Sequence, residues 1–266
     1  MERPTAYFRE AGTGTGVVCV HSSASSSGQW RPLMDRLADR FRVLAVDLYG
    51  CGKTPPWPGD RTITLADEAA LLEPVFHAAG EPLHLIGHSY GGAIALRAAL
   101  ANPGRLRSLV LFEPVLFAVL LAEDPLQPAA REITAVRDDT TASVNKGDLE
   151  ASAERFVDYW MGPGTWSRTP ELRRPAAARA MAKVKAEWQA TFTEPTPLST
   201  FASLDVPTLF IVGSESPASS RGVARLLTNT LPRVTTMEID GVGHMGPVTH
   251  PDRINAAIEA HLSSFA

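Results

Sequence analysis

The sequence predicts an α/β fold: a mostly parallel sheet of about seven strands, helices on both faces, and an inserted block of helices. Three observations predict it. Short β-type runs alternate with longer helical runs, the pattern of a parallel sheet covered on both sides. The alternation stops between Glu123 and Ser203, where only helical patterns occur. The stretch Gly87-His88-Ser89-Tyr90-Gly91 follows the apolar run Pro82-Leu83-His84-Leu85-Ile86 and precedes a run of small residues from Gly92 to Leu100. That is strand, tight turn and helix, with a serine at the apex.

Strands are expected at residues 6–10, 16–21, 42–47, 83–87, 106–112, 208–213 and 234–239, each an apolar or β-branched run. Helices between them are expected at 29–40, 65–79, 91–101, 220–230 and 251–264. Inside the helix-only region, 149–161 and 175–191 read as helices, set between breaks at Met161-Gly162-Pro163-Gly164 and Glu194-Pro195-Thr196-Pro197. The expected division is a core of residues 1–122 and 204–266 with a helical cap at 123–203. Open parallel sheets bind ligands at the carboxyl ends of their strands. Those ends here carry His21-Ser22-Ser23, Asp47-Leu48-Tyr49-Gly50, Ser89, Glu113 and Gly213-Ser214-Glu215. One pocket under the cap would gather them.

Composition narrows the partners. The chain has 266 residues, 44% of them hydrophobic, enough for one substantial core with an insertion. A net charge of −4 with scattered basic residues gives no footprint for nucleic acid or an anionic membrane. The longest apolar run, residues 115–122, falls short of the ~18 residues that span a bilayer. Met1-Glu2-Arg3-Pro4 does not begin a secretory leader. The two cysteines, Cys19 and Cys51, cannot build a disulfide framework and are expected as free thiols. A cytoplasmic protein acting on a small-molecule substrate is expected, as a monomer or homodimer, with no stable membrane association and no nucleic acid.

Ser89 sits where a glycine-flanked turn would hold its hydroxyl clear at the sheet edge. A side chain on either flanking glycine would collide with the neighbouring strand or helix. The alternative for Ser89 is a helix N-cap. A serine hydroxyl needs a base to become a nucleophile. His244, in Gly241-Val242-Gly243-His244-Met245-Gly246-Pro247, follows the last strand and precedes the last helix. It is the best placed of the seven histidines. His250 reads as structural, and His84 and His88 as packing or hydrogen-bonding residues. The oxyanion of a tetrahedral intermediate needs N–H donors. Tyr90 N–H, directly after the serine, is one. Ser23 N–H, in the serine-rich loop 21–28, is assigned as the second, although that loop would also serve simply to cap the following helix.

These residues in this order resemble the α/β-hydrolase superfamily over nearly the whole chain. In detail they resemble compact bacterial serine hydrolases with a helical cap and a Leu-Phe-Glu-Pro segment after the strand that follows the nucleophile helix. The resemblance implies a Ser-His-acid triad and no cofactor. One position departs from it. The usual acid, an Asp in the loop after the penultimate strand, is replaced by Ser216 within Gly213-Ser214-Glu215-Ser216-Pro217. Some members, haloalkane dehalogenases among them, place the acid one strand earlier. Here that position is Glu113, which is the expected acid. Glu215 is the alternative, as is an imidazole oriented by Ser216 or water. Asp47 and Thr54 are read as structural supports of the turn after the third strand.

The expected chemistry is hydrolysis of small to medium carboxylic esters through an acyl-enzyme. Trp160, Trp166, Trp188 and Phe117 are expected to wall the substrate pocket, with Phe192 a further candidate. At helical spacing such aromatics also serve as cap core. Gly52-Lys53-Thr54 lacks the first glycine of a phosphate-binding loop, because Asp47 stands there. No His/Cys/carboxylate spacing suggests a metal site. The competing functions are a carbon–carbon bond hydrolase of the same fold and a ligand receptor with low turnover. Haloalkane dehalogenase and epoxide hydrolase chemistry need a carboxylate where Ser89 stands.

Overall fold

A computed structural model describes residues 5–102 and 104–265. Residues 1–4, on which the expectation about a leader falls, lie outside them. The chain runs through β1 (Phe8–Ala11), β2 (Thr15–Val20), a 3-10 turn (Ser27–Trp30), α1 (Arg31–Leu37) and β3 (Phe41–Val46). It continues with α2 (Leu65–Leu71), α3 (Glu73–Ala79), β4 (Leu83–His88), α4 (Tyr90–Ala101) and β5 (Leu106–Phe112). Helices alone follow: α5 (Phe117–Glu123), α6 (Pro128–Asn145), α7 (Leu149–Met161), α8 (Thr165–Arg168), α9 (Arg174–Phe192) and a 3-10 segment (Leu198–Ser203). The sheet then resumes with β6 (Thr208–Gly213), α10 (Ala218–Thr228), β7 (Val234–Ile239), α11 (Gly246–Thr249) and α12 (Pro251–Ser263).

Among the described residues, seven strands form one sheet in the order β1-β3-β2-β4-β5-β6-β7. Only β1 is antiparallel, pairing Phe8 with Val46 and Ala11 with Val43. The chain steps outward from β2 to β3 and then returns across β2 to β4. The crevice between the carboxyl ends of β2 and β4 is therefore the switch point where such sheets hold ligands. Loop 21–28 leaves one of these strands and Ser89 leaves the other.

The central strands are buried on both faces, so they read as continuous apolar runs rather than alternating ones. In β2, Val17 and Cys19 pack with Trp30, Leu33 and Leu37 of one helical layer and Ile254 and Ile258 of α12. Val18 and Val20 face the opposite layer, with Leu72, Phe76 and Ile94. That opposite core runs on into the helical stretch through Phe117, Trp160 and Trp188.

Three local expectations shift. The first strand begins at Phe8 rather than residue 6, because its pairing with β3 starts there. The expected helix 29–40 opens as a 3-10 turn and ends at Leu37. The expected helix 65–79 is two helices that part at Leu72, because Pro74 lacks the N–H that would continue the first. Thr64 starts the first of these with a capping box, accepting from Asp67 N–H while the Asp67 carboxylate accepts in return. Both cysteines are buried free thiols. No helix of the described residues is long and apolar enough to cross a membrane.

His84 is a test of this core. It lies fully buried in β4, 2.8 Å from Ser108 Oγ on β5 and edge-on to Phe41, and its Nε2 finds no partner. Burial lowers its pKa to about 4. His21 and His88 are lowered by burial as well. These imidazoles stay neutral in the fold where the unfolded chain takes up protons, so their contribution to stability is full above pH 6.5 and is lost as pH falls below it. Each unit of displacement is worth about 1.4 kcal/mol. The denaturant midpoint is expected to drop between pH 7 and pH 4.5, and to drop less in His84→Gln. A flat midpoint, or an equal drop in the variant, contradicts the assignment.

Candidate active site

Ser89 occupies the turn between β4 and α4 at φ 56°, ψ −116°. A non-glycine residue there stores roughly 1–3 kcal/mol of strain. Packing holds it in place. A Cβ on Gly87 would lie 2.4 Å from Gly91 O, and one on Gly91 would lie 2.3 Å from Val20 O. Ser89 N–H donates to Phe112 O at 2.9 Å, and Val115 N–H donates to Ser89 O at 3.2 Å. The hydroxyl is left free to point away from the sheet.

His244 arrives on the loop after β7. Its Nε2 lies 2.9 Å from Ser89 Oγ and its Nδ1 lies 2.6 Å from Glu113 Oε2. A carboxylate can only accept, so Nδ1 carries the proton and Nε2 is free to accept from Ser89. Glu113 and His244 are both buried. Glu113 leaves β5 at φ +44°, a second strained backbone position. Its Oε1 accepts from Gly213 N–H at 2.7 Å and from Ser216 Oγ at 2.5 Å. A buried carboxylate is tolerated when donors surround it, and here three do. Gly213 cannot be replaced easily, because a Cβ would meet Val242 O at 2.1 Å. Ser220 Oγ also lies 3.3 Å from His244 Nδ1. Glu215 is exposed and its backbone N–H is tied to Val242 O. His250 is exposed at the start of α12, bonded to Thr249.

A second polar chain crosses beneath this one. His88 Nε2 donates to His244 O at 2.9 Å, so its Nδ1 accepts from Gln29 Nε2 at 3.1 Å. Gln29 Oε1 accepts from Ser22 N–H at 3.2 Å and from the Ser22 hydroxyl at 2.9 Å. Burial first, and then the neighbouring His244, hold His88 well below the usual imidazole range, which keeps it neutral for this role. Asp47 adds a third tie. Its carboxylate accepts from Ser27 N–H at 2.6 Å and from Lys53 N–H at 2.8 Å, and Thr54 Oγ donates to its carbonyl at 2.8 Å. Loop 21–28 is thereby anchored to both the elbow, the sharp turn at Ser89 between β4 and α4, and the turn after β3.

A cavity of about 260 Å³ opens onto Ser89 and His244. Ser23 and Tyr90 border it from the sheet side, and Trp160, Trp188 and Glu187 from the helices. The Trp160 ring lies 4.1 Å from the His244 ring, centroid to centroid. Two expected wall residues are elsewhere. Phe117 is fully buried behind the wall, 6.5 Å from Trp160 and 5.9 Å from Trp188, and supports both rings. Trp166 packs away from the cavity, with the Arg174 guanidinium 5.6 Å from its ring. Phe192 likewise backs Phe117 and Trp188.

Sequence reasoning passed over Gln29 and Glu187, and it considered Ser216 only as an alternative orienter of His244, not as the partner of Glu113 that it is. Gln29 looked like the first residue of a helix. Only its place eight residues after His21, opposite the variable residue of the elbow, hints at its bonding. Gln29→Leu removes the partner of two Ser22 groups and of His88 Nδ1. Unpaired buried groups cost about 1–3 kcal/mol each. The variant is expected to lose about 2 kcal/mol or more in chemical denaturation. A loss below about 0.5 kcal/mol would show that water replaces the amide.

Comparison with known proteins gives the fold its family. Residues 16–251 match the family model for the alpha/beta hydrolase fold. A pimeloyl-(acyl-carrier protein) methyl ester esterase of Aeromonas hydrophila is 26% identical over 264 residues, covering 93% of this chain and 95% of its own. The crystal structure of an alpha/beta hydrolase from Sphaerobacter thermophilus superposes with a TM-score of 0.76 at 25% identity, over 97% of this chain and 96% of that one. A thermophilic esterase from Thermogutta terrifontis gives 0.74 at 24% identity, over 98% and 93%. Sheet order, elbow and family match agree: this chain belongs to the α/β-hydrolase family.

Proposed function

We propose that this protein is a serine hydrolase that cleaves small to medium carboxylic esters through an acyl-enzyme, with a Ser89-His244-Glu113 triad. One observation carries the proposal: the continuous chain of contacts from Ser89 Oγ through the imidazole to Glu113, 2.9 Å and 2.6 Å long, at the floor of a cavity. The likeness to a methyl ester esterase supports the choice of esters.

His244 Nε2 takes the Ser89 proton as Oγ attacks the acyl carbonyl. Glu113 holds the Nδ1–H tautomer and stabilises the imidazolium that forms. The Trp160 ring against the imidazole adds a favourable cation–π contact to that charged state. Tyr90 N–H, the first N–H of α4, has no intrahelical acceptor and is turned to the oxyanion with Ser23 N–H. Losing one such donor typically raises the barrier by about 3–4 kcal/mol. Collapse expels the alcohol, protonated by His244. Water activated by the same nitrogen then releases the acid. The helical segment 123–203 acts as a cap that keeps bulk water from the acyl-enzyme. Two free thiols suit a reducing cytoplasm, where the protein works as a monomer or homodimer on a small molecule.

A fluorophosphonate probe is expected to label the protein at Ser89 and to leave Ser89→Ala unlabelled. No labelling of the wild type would favour a receptor. Glu113→Gln is expected to lower kcat by about two to four orders of magnitude, while Glu215→Gln stays within a few-fold. The reverse ranking would move the acid to Glu215. Activity is expected to rise with pH as one basic group loses its proton. A rate independent of pH from 5 to 9 would argue against an imidazole base.

A further inference from the structure

Glu187 is the only carboxylate among the described residues that line the cavity. It projects from α9 and is 2% exposed. Its Oε1 lies 3.2 Å from Lys183 Nζ. Neither oxygen makes a hydrogen bond, and Oε2 has no ion-pair contact either. Lys183 is itself shared, with Glu68 Oε1 closer at 2.6 Å. Burial works against the Lys183 charge, but the Glu187 and Glu68 carboxylates outweigh it and hold the ammonium protonated. One cation thus serves two buried carboxylates, and the carboxylate facing the cavity is the less well served.

The walls around it are aromatic. Phe156, Trp160 and Trp188 line the cavity, with ring centroids 6.0–6.5 Å apart. Glu187 Oε2 is already shielded from solvent, and a neutral aliphatic ligand filling this space would leave it unpaired, which is costly. A ligand carrying its own cation would instead complete the carboxylate and rest against ring faces. Aromatic walls beside a carboxylate are the chemistry that recognises alkylammonium groups.

We infer that Glu187 is a specificity-determining residue, and that the substrate bears a protonated tertiary or secondary amine which donates to Glu187 Oε2 against the Phe156, Trp160 and Trp188 rings. The inference rests on the ester-hydrolase reading of the site. It adds that the preferred ester is cationic.

Two isosteric pairs test it. The amine is on the acyl side in ethyl 4-(dimethylamino)butanoate, set against ethyl 5-methylhexanoate. It is on the alcohol side in 2-(dimethylamino)ethyl butanoate, set against 3-methylbutyl butanoate. In at least one pair, wild-type kcat/KM at pH 7.5 is expected to favour the cation at least tenfold, and Glu187→Gln is expected to cut that ratio at least tenfold. If neutral esters equal or beat their cationic isosteres in both pairs, or if Glu187→Gln leaves the ratio unchanged, the inference fails while ester hydrolysis stands. A binding measurement needs no turnover. Dimethylbutylammonium is expected to quench tryptophan fluorescence saturably in Ser89→Ala, with at least tenfold weaker binding in Ser89→Ala/Glu187→Gln. Such binding without turnover of any ester would keep the ammonium site and remove the ester-hydrolase reading. Equal affinity in the two variants would overturn the site.

Discussion

The buried Glu113 carboxylate is the constraint around which this sheet edge is organised. A fully buried charge demands donors, and the fold brings three of them: Gly213 at the end of β6, Ser216 in the connection from β6 to α10, and His244 after β7. Meeting that demand sets the path of each loop. The backbone of Glu113 is held at positive φ, and Gly213 must lack a side chain because Val242 passes so close. The residue found where an Asp is usual, Ser216, keeps a part in the arrangement. Its hydroxyl turns to the carboxylate that arrives from the neighbouring strand.

A similar economy holds on the other side of Ser89. His88 is neutral and fully buried, and it bonds at both nitrogens. It joins the His244 carbonyl to Gln29 and so to Ser22. The loop expected to supply an oxyanion donor and the loop carrying the imidazole are thus coupled through one side chain of the elbow. Asp47 fixes the same loop from below. Strain at Ser89 persists because hydrogen bonds and close packing surround it on all sides.

Much of this was legible in the sequence, and for physical reasons. Strands buried on both faces show as unbroken runs such as Val17-Val18-Cys19-Val20. The elbow shows because only glycine fits beside it. Glu113 stood out because it holds the place, one strand earlier than the usual Asp, where some members of the superfamily keep their acid. The wall residues were less legible. Periodicity tells that Phe117, Trp160, Trp166 and Trp188 are buried, but not which ring faces the cavity and which stands behind it. That depends on how α5, α7 and α9 lean on one another, which is a tertiary matter. Pro74 was visible, yet a helix that restarts after a proline reads much like one that runs through it. Glu187 was hidden by its neighbours: a Lys and a Glu four residues apart on a helix ordinarily mark a solvated face.

The Lys183–Glu68 ion pair carries a consequence for traffic. It joins α9 to α2, with Glu68 wholly buried. Pulling such a pair apart leaves an uncompensated charge at a cost of about 3–5 kcal/mol. An outward swing of α9 that parted this pair would carry that cost, so the helix spends little time away from α2. Of the cavity-lining residues, Met161 at the end of α7 and Val248 in α11 are large apolar side chains that nevertheless stand exposed, at 43% and 48%. Through these two side chains the lining of the cavity reaches the surface, on helices other than the one that the ion pair ties down.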